Sequence, residues 1–278
     1  MGMLTDQSVA TPKNDQTALH RYEAQGTVFV PEGMPLTLVI DGRDNPETLE
    51  IPSIFEKIDG KEFCELLLKG APLGAQERGL SAEDSVAQIL RTAAHWSNLQ
   101  SVILRNLPEN KAAIDVLNNL KHFRKLELTD PQVDPAELAR QPFIGRLEEL
   151  SLRNLFVDDV VRSLSGSSNL RSLILAETSV SPAALEELRR CPHLVYLQLE
   201  ENKVDDRLLR AVAQLTTVRH VYIKDASLSP SQIGILTQCP WFELIALDKS
   251  SAASASNLPD RRIRIIQDDS WSTWFYHL

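Results

Sequence analysis

The chain has 278 residues, 43% of them hydrophobic, and a net charge of −9 from 29 basic and 38 acidic side chains. This acidic balance argues against nucleic acid as a partner, which calls for a basic face, and no apolar run approaches the roughly 20 residues of a membrane span. Three cysteines are too few, and odd in number, for a disulfide framework. The start, Met1-Gly2-Met3-Leu4, has neither the basic region nor the apolar core of a secretory signal. A soluble protein of a reducing compartment, the cytoplasm, is the expectation.

In chain order, residues 1–22 are rich in Thr, Asp, Gln and Asn and predict a flexible tail. Residues 23–62 predict an N-terminal cap. Within it Val28–Val30, the Pro31–Gly33 turn and Leu36–Ile40 spell a hairpin or a degenerate first strand. Asp44–Ile58 reads as loop and short helix. Phe63, Leu66 and Leu68 form the first copy of a strand pattern, followed by an insertion rich in Gly, Ala and Pro at Gly70–Ala75. Ser81-Ala82-Glu83-Asp84 opens a helix running to about His95.

From there the chain repeats itself. The leading apolar position recurs at Leu99, Phe123, Leu147, Leu170, Leu194, Val218 and Phe242, in steps of 24, 24, 23, 24, 24 and 24 residues. Paired strand positions move in step, from Val102/Leu104 through Leu126/Leu128, Leu150/Leu152, Leu173/Leu175, Leu197/Leu199 and Val221/Ile223 to Ile245/Leu247. Each strand is followed by a helix-start signal. Asp134-Pro135, Ser181-Pro182 and Ser229-Pro230 place a capping oxygen before a proline at the first helical position. Asp158 and Asp205 fill the same slot without proline. Leu138, Leu185, Leu209 and Ile233, then Leu164, Leu188, Val212 and Leu236, predict the buried helix face. Cys191 and Cys239 share one turn slot. Two strands apart at about 4.8 Å per strand, they sit too far from each other to form a disulfide. Ser250–Ser256 predicts a small, polar, flexible replacement for the last helix, and Ile263–Ile266 one more strand. Residues 259–278 predict a C-terminal cap. The aromatic stretch Trp271, Trp274, Phe275 and Tyr276 reads either as a lid over the last copy or as a linear binding motif.

This LxxLxL periodicity resembles the leucine-rich-repeat family, in particular its ribonuclease-inhibitor-like members with 24-residue repeats. The resemblance covers residues 63–258. It implies an α/β fold: a right-handed solenoid or horseshoe of about eight repeats with terminal caps, its parallel strands on the concave side and its helices on the convex side. No unit can bury its apolar face alone, so stacking is obligatory. The family's ladder asparagine appears only at Asn202. The other copies carry Leu107, Pro131, Leu155, Thr178, Ala226 and Ser250, which predicts turns held by backbone bonds or water. Ile51–Ile58 also resembles the start of an F-box.

The strand positions between the leucines should line the concave face. Toward the C-terminal half, Ile174, Tyr196, Gln198, His220, Tyr222 and Leu244 predict an exposed apolar and aromatic patch, of the residue types that anchor interfaces. Beside it Asp130, Glu177, Glu201 and Asp225 form an acidic strand-end column suited to a basic partner segment. The other reading of both features is an ordinary solvated surface. No Gly-rich phosphate loop, GxSxG, HExxH or metal-ligand spacing occurs. No catalytic residue, metal or cofactor is therefore assigned. The reading is a monomeric, non-enzymatic protein–protein interaction scaffold binding a partner on its concave face. The alternative is an adaptor or effector subunit, of the ubiquitin-ligase substrate-receptor type, recruiting a second protein through its N-terminal region.

Overall fold

Leucines alternating with small or polar residues make a short strand with one apolar side, and the described residues form ten strands. A computed structural model describes residues 36–41, 63–70, 82–106, 111–256 and 260–266. The strands are β1 (Leu36–Asp41), β2 (Phe63–Lys69), β3 (Ser101–Arg105), β4 (Lys125–Thr129) and β5 (Glu149–Arg153). They continue as β6 (Ser172–Ala176), β7 (Tyr196–Glu200), β8 (His220–Lys224), β9 (Leu244–Asp248) and β10 (Ile263–Ile266). All pair in parallel, in sequence order, as one sheet. This is the architecture of a leucine-rich-repeat solenoid.

Register follows the sequence periodicity. Leu126, Leu150, Leu173, Leu197, Val221 and Ile245 face one another across six adjacent strands. Shifting one strand by a single residue would turn its leucines out of the core. Leu38 stands opposite Leu66, so β1 pairs with β2 in parallel as the repeat strands pair with one another. Val28–Val30, Asp44–Ile58 with its F-box-like stretch, and Trp271–Tyr276 lie outside the described residues.

Helices or single helical turns fill most connections between strands: Ala82–Ala93, Lys111–Leu117, Pro135–Ala139, Asp158–Ser163, Pro182–Glu187, Asp206–Val212 and Pro230–Thr237. Asp134, Ser181, Asp205 and Ser229 cap them as predicted, and Ser229 with Gln232 completes a reciprocal capping box. The buried helix face is also as expected: Leu138, Leu164, Leu185, Leu188, Leu209, Val212, Ile233 and Leu236 are each fully buried. At about 1.5–3 kcal/mol per buried leucine-sized side chain, stacking dominates the stability of each unit.

Two expectations need correction. Asp158 is not an N-cap: the cap position is Val157, and Asp158 begins the helix. Its carboxylate instead accepts the Ser181 backbone N–H and hydroxyl, tying one helix start to the next. Ser250–Ser256 does not replace the last helix with irregular chain. A 3-10 turn, Lys249–Ser251, leads into a one-turn helix, Ala252–Ala255. The step from Ile245 to its β10 partner Ile263 is shorter than the others and leaves room for no more. The Arg262 guanidinium fastens this last unit by donating to the carbonyls of Thr237, Cys239 and Phe242 while paired with Asp260.

The turns after β2 to β8 have one conformation. Gly70, Asn106, Asp130, Asn154, Glu177, Glu201 and Asp225 all hold φ between 50° and 70°. Gly, Asn and Asp tolerate this left-handed region; most other residues pay a steric penalty there. Beyond this position lies the buried ladder. Asn202 accepts from the Thr178 N–H and hydroxyl and donates to the carbonyls of Leu175 and Glu200. Where asparagine is missing, backbone bonds tie neighbouring turns, as from the Asn106 N–H to the Thr129 carbonyl and from the Asp130 N–H to the Arg153 carbonyl, and in the last copy a serine substitutes. Ser251 accepts from the Leu228 N–H and donates to the Ala226 carbonyl. Cys191 and Cys239, both free, direct their thiols to carbonyls of the preceding unit.

Asn202→Leu keeps the branching at Cγ and the number of side-chain heavy atoms but strands buried backbone groups on two units. It should lower stability by about 2–3 kcal/mol, read as a lower urea midpoint at an unchanged m-value.

Candidate functional site

One side of the sheet packs on the helices; the residues between the leucines project from the other. On this helix-free face, strand register creates three cross-strand rows. The first runs Ser101, Lys125, Glu149, Ser172, Tyr196, His220, Leu244; the second Ile103, Glu127, Ser151, Ile174, Gln198, Tyr222, Ala246. The third runs Arg105, Thr129, Arg153, Ala176, Glu200, Lys224. The left-handed residues after the strands form a rim beside the third row.

The N-terminal part of the face is a ladder of opposite charges. Glu65 accepts from Thr37 and Ser101, Arg105 donates to Glu127 at 2.7 Å, and Lys125 pairs with Glu149 at 2.6 Å. Such cross-strand pairs each contribute a fraction of a kcal/mol. The C-terminal part is apolar. Tyr196 and Tyr222 lie with ring centroids 4.8 Å apart and planes inclined by 31°. With Ala246 they form a small second core, against which Ile174, Leu244 and Ile266 pack.

The expectation of an exposed aromatic patch is corrected here. Tyr196 is 3% exposed, Tyr222 2%, Gln198 5% and Ala246 0%, although all project from the side without helices. Burial pushes both phenols above their usual pKa, so they stay protonated at neutral pH. Ile174, His220 and Leu244 remain half-buried around them. In the first row Ser172 Oγ and His220 Nδ1 flank Tyr196, and both are buried atoms without a hydrogen bond. Burial holds the His220 pKa below its usual value; Glu243, 3.9 Å from Nε2, opposes the shift only partly. This leaves the ring neutral at pH 7.

A chain of hydrogen bonds along β7 joins the aromatic cluster to the charged rim. Tyr196 Oη donates to Gln198 Oε1 at 2.7 Å, and Gln198 Nε2 donates to Glu200 Oε2 at 3.1 Å. Glu200, nearly buried, takes Arg153 Nη2 at 2.7 Å and Lys224 Nζ at 3.1 Å. Arg153 is two strands from Glu200 and reaches it across Ala176, whose methyl leaves the way open. The same guanidinium holds Glu177 at 2.6 Å and Glu201 at 3.5 Å. At the rim, Lys224 lies 3.9 Å from Asp225, whose backbone N–H donates to Asp248, and Asn154 donates to Asp130. Burial raises the Glu200 pKa, but the bonds from Arg153 and Lys224 outweigh it, and the carboxyl lies below its usual range.

The acidic column is thus real but partly neutralised. Strand alternation puts Arg153, Glu200 and Lys224, at its centre, on this face but does not single them out as site residues. A signal exists all the same: Arg153, Ala176, Glu200 and Lys224 occupy one strand position in successive copies. Ligand atoms of Glu200, Glu201 and Asp225 lie within 4.8 Å of one another. A divalent ion there would have to displace the two cations already on Glu200. Among the described residues no helix is long and apolar enough to cross a membrane.

No family model and no curated protein matches this sequence. Among solved structures, the chain is similar to one in the TLR13–ssRNA13 complex, with 17% identity and a TM-score of 0.45 over 79% of this chain and 33% of that one. It is similar to an internalin from Listeria monocytogenes, with 10% identity and a TM-score of 0.36 over 83% and 82%. A chain of the mouse RP105/MD-1 complex gives 13% identity and a TM-score of 0.35 over 68% and 42%. This chain therefore spans about a third of the matched TLR13-complex chain.

A carboxylate whose pKa is lowered by folding contributes stability that is present at neutral pH and lost as pH falls through its folded value. Glu200→Gln should remove about 1–2 kcal/mol at pH 7. The difference from wild type should shrink below about pH 4, the ordinary carboxylate range, as urea denaturation across pH would show.

Proposed function

We propose that this leucine-rich-repeat chain is a non-enzymatic interaction scaffold that binds a protein partner across the helix-free face. The rim carboxylates Asp130, Glu177, Glu201 and Asp225 orient a basic segment of that partner. The observation that carries the reading is the identity of two rim residues. The backbone there requires a left-handed residue, and other copies supply Gly, Asn or Asp. Glu177 and Glu201 are neither small nor able to bond their own turn as Asn and Asp do. Strain of this kind is retained where function needs the side chain. Both carboxylates are about half exposed, and each projects beyond the turn where an asparagine would stay close to it.

The rest of the face fits the same role. A continuous sheet side without helices offers a broad platform. The charge ladder gives orientation, and the half-buried Ile174, His220 and Leu244, which border the buried Tyr196–Tyr222 pair, offer the partner its apolar contacts.

Glu177→Asn with Glu201→Asn should leave stability unchanged or raise it by up to about 1 kcal/mol, since a better left-handed residue offsets the loss of exposed ion pairs. The same double variant should recover at least several-fold less partner from an extract of the native source, compared with wild type by quantitative mass spectrometry. Equal recovery of every captured protein would dismiss the rim as a binding element.

A further inference from the structure

We propose that Phe156 is the seat of a basic side chain, an arginine or lysine stacked on its ring, and that this ring and the acidic rim together bind one basic segment of the partner. That a partner exists rests on the interaction reading above; what Phe156 takes is tested without one.

Phe156 stands two positions beyond Asn154, the left-handed residue after β5. The residues in the same slot of other units, Gln132, Ser179, Lys203 and Ser227, are polar and exposed. The residue after each of the five is apolar and packs on the core: Val133, Val157, Val180, Val204 and Leu228. The slot faces solvent because its neighbour faces inward, and Phe156 places a phenyl ring there, 81% exposed. A ring so exposed adds nothing to the core. Val39 and Val195, the other exposed large apolar side chains among the described residues, are aliphatic and less exposed.

Charge selects the occupant. From Asp130 to Asp225 the rim runs Asp130, Asn154, Glu177, Glu201, Asp225. Asn154 is its one neutral member, and it belongs to the unit that carries Phe156. Carboxylates stand on both sides of that unit: Asn154 donates to Asp130 of the preceding unit, and Arg153 holds Glu177 of the following one at 2.6 Å. In residues 130–134, 153–162 and 177–181 there are five carboxylates, Asp130, Asp134, Asp158, Asp159 and Glu177, and two cations, Arg153 and Arg162. An apolar guest would cover the ring and leave this excess unanswered. A basic side chain does both, since its stem lies along apolar surface and its charge is drawn to the face of the ring and to the carboxylates. Arginine suits the seat best, because its plane stacks on an aromatic face.

The stack also sets the spacing of the guest. Glu201 lies two units beyond that of Phe156, roughly 10 Å at the spacing of paired strands, and its carboxylate is about half exposed. A polyproline II chain rises about 9.3 Å per turn of three residues and brings every third side chain to the same side. Laid across the rim, such a segment places one basic side chain on Phe156 and the next at Glu201.

The test uses the full chain and a labelled synthetic peptide, Pro-Ser-Arg written four times, followed by fluorescence anisotropy at low salt. Wild type should bind the peptide, and bind less of one with norleucine in place of arginine. Phe156→Leu keeps an apolar side chain and removes the π face; it should weaken binding about fivefold. Phe156→Trp should bind at least as tightly as wild type. Both variants should keep the urea midpoint of wild type, because the ring is exposed. Equal binding by wild type and Phe156→Leu, or no binding of the arginine peptide by wild type, would overturn the proposal. Binding that ignores Phe156 but falls in Glu177→Asn with Glu201→Asn would sink the seat and leave the rim reading in place. Binding indifferent to all of these changes would count against both.

Discussion

Everything in this protein depends on units that cannot stand alone. A five-residue strand and a turn or two of helix bury almost nothing by themselves, and a helix this short is unstable in water. Placed side by side, the units share one column of leucines and one parallel hydrogen-bond ladder, and the apolar face of each becomes the floor of the next. The polar braces run the same way. Asn202 binds the turn of the preceding unit, Asp158 the helix start of the following one, and Arg262 ties the last short unit to its predecessor. Stability is therefore passed along the stack between neighbours.

Stacking also dictates the chemistry of the rim. From β2 to β8 each strand must turn sharply before the next unit can begin, and the turn is made by one residue in the left-handed region. Gly70, Asn106, Asp130, Asn154 and Asp225 meet that demand as a purely structural need. Part of the acidic column is thus a by-product of backbone geometry, since aspartate is a good turn residue whatever its charge. The two glutamates are different. They sit where the backbone disfavours them, and both face Arg153. Here the conformational requirement separates carboxylates that the turn explains from those it does not.

Across the helix-free face, polarity is divided by strand number. The earlier strands carry opposite charges in adjacent positions that cancel one another; the later strands carry rings and aliphatic side chains. Between them, Tyr196, Gln198 and Glu200 pass hydrogen bonds down a single strand into the Arg153 and Lys224 pair. Glu200 can be nearly buried because two cations and an amide satisfy it. The aromatic cluster and the rim are consequently one connected unit, and a change at either end reaches the other through fixed hydrogen bonds.

The repeat length, the strand positions, the buried leucines and four helix caps are legible in the sequence, because each follows from local periodicity or from the few residues that suit a cap. The 18-residue last step and its single helical turn are visible as spacing, yet Ser250–Ser256 reads as a flexible stretch until β10 is seen paired with β9. Asp158 looks like a cap by position, and only the neighbouring unit shows where its carboxylate goes. For Tyr196 and Tyr222 the pattern places the rings on the right face and gives the wrong exposure. A strand's alternation determines the side on which a residue projects; what lies above that side depends on segments distant in sequence. Arg153 reaching Glu200 across Ala176 belongs to the same class, since the contact needs three strands in register and a small residue in the middle. Local pattern thus determined the stack and its faces. Burial on the open face and the assembly of charges around Glu200 were decided by tertiary structure, because both arise between units and within none of them.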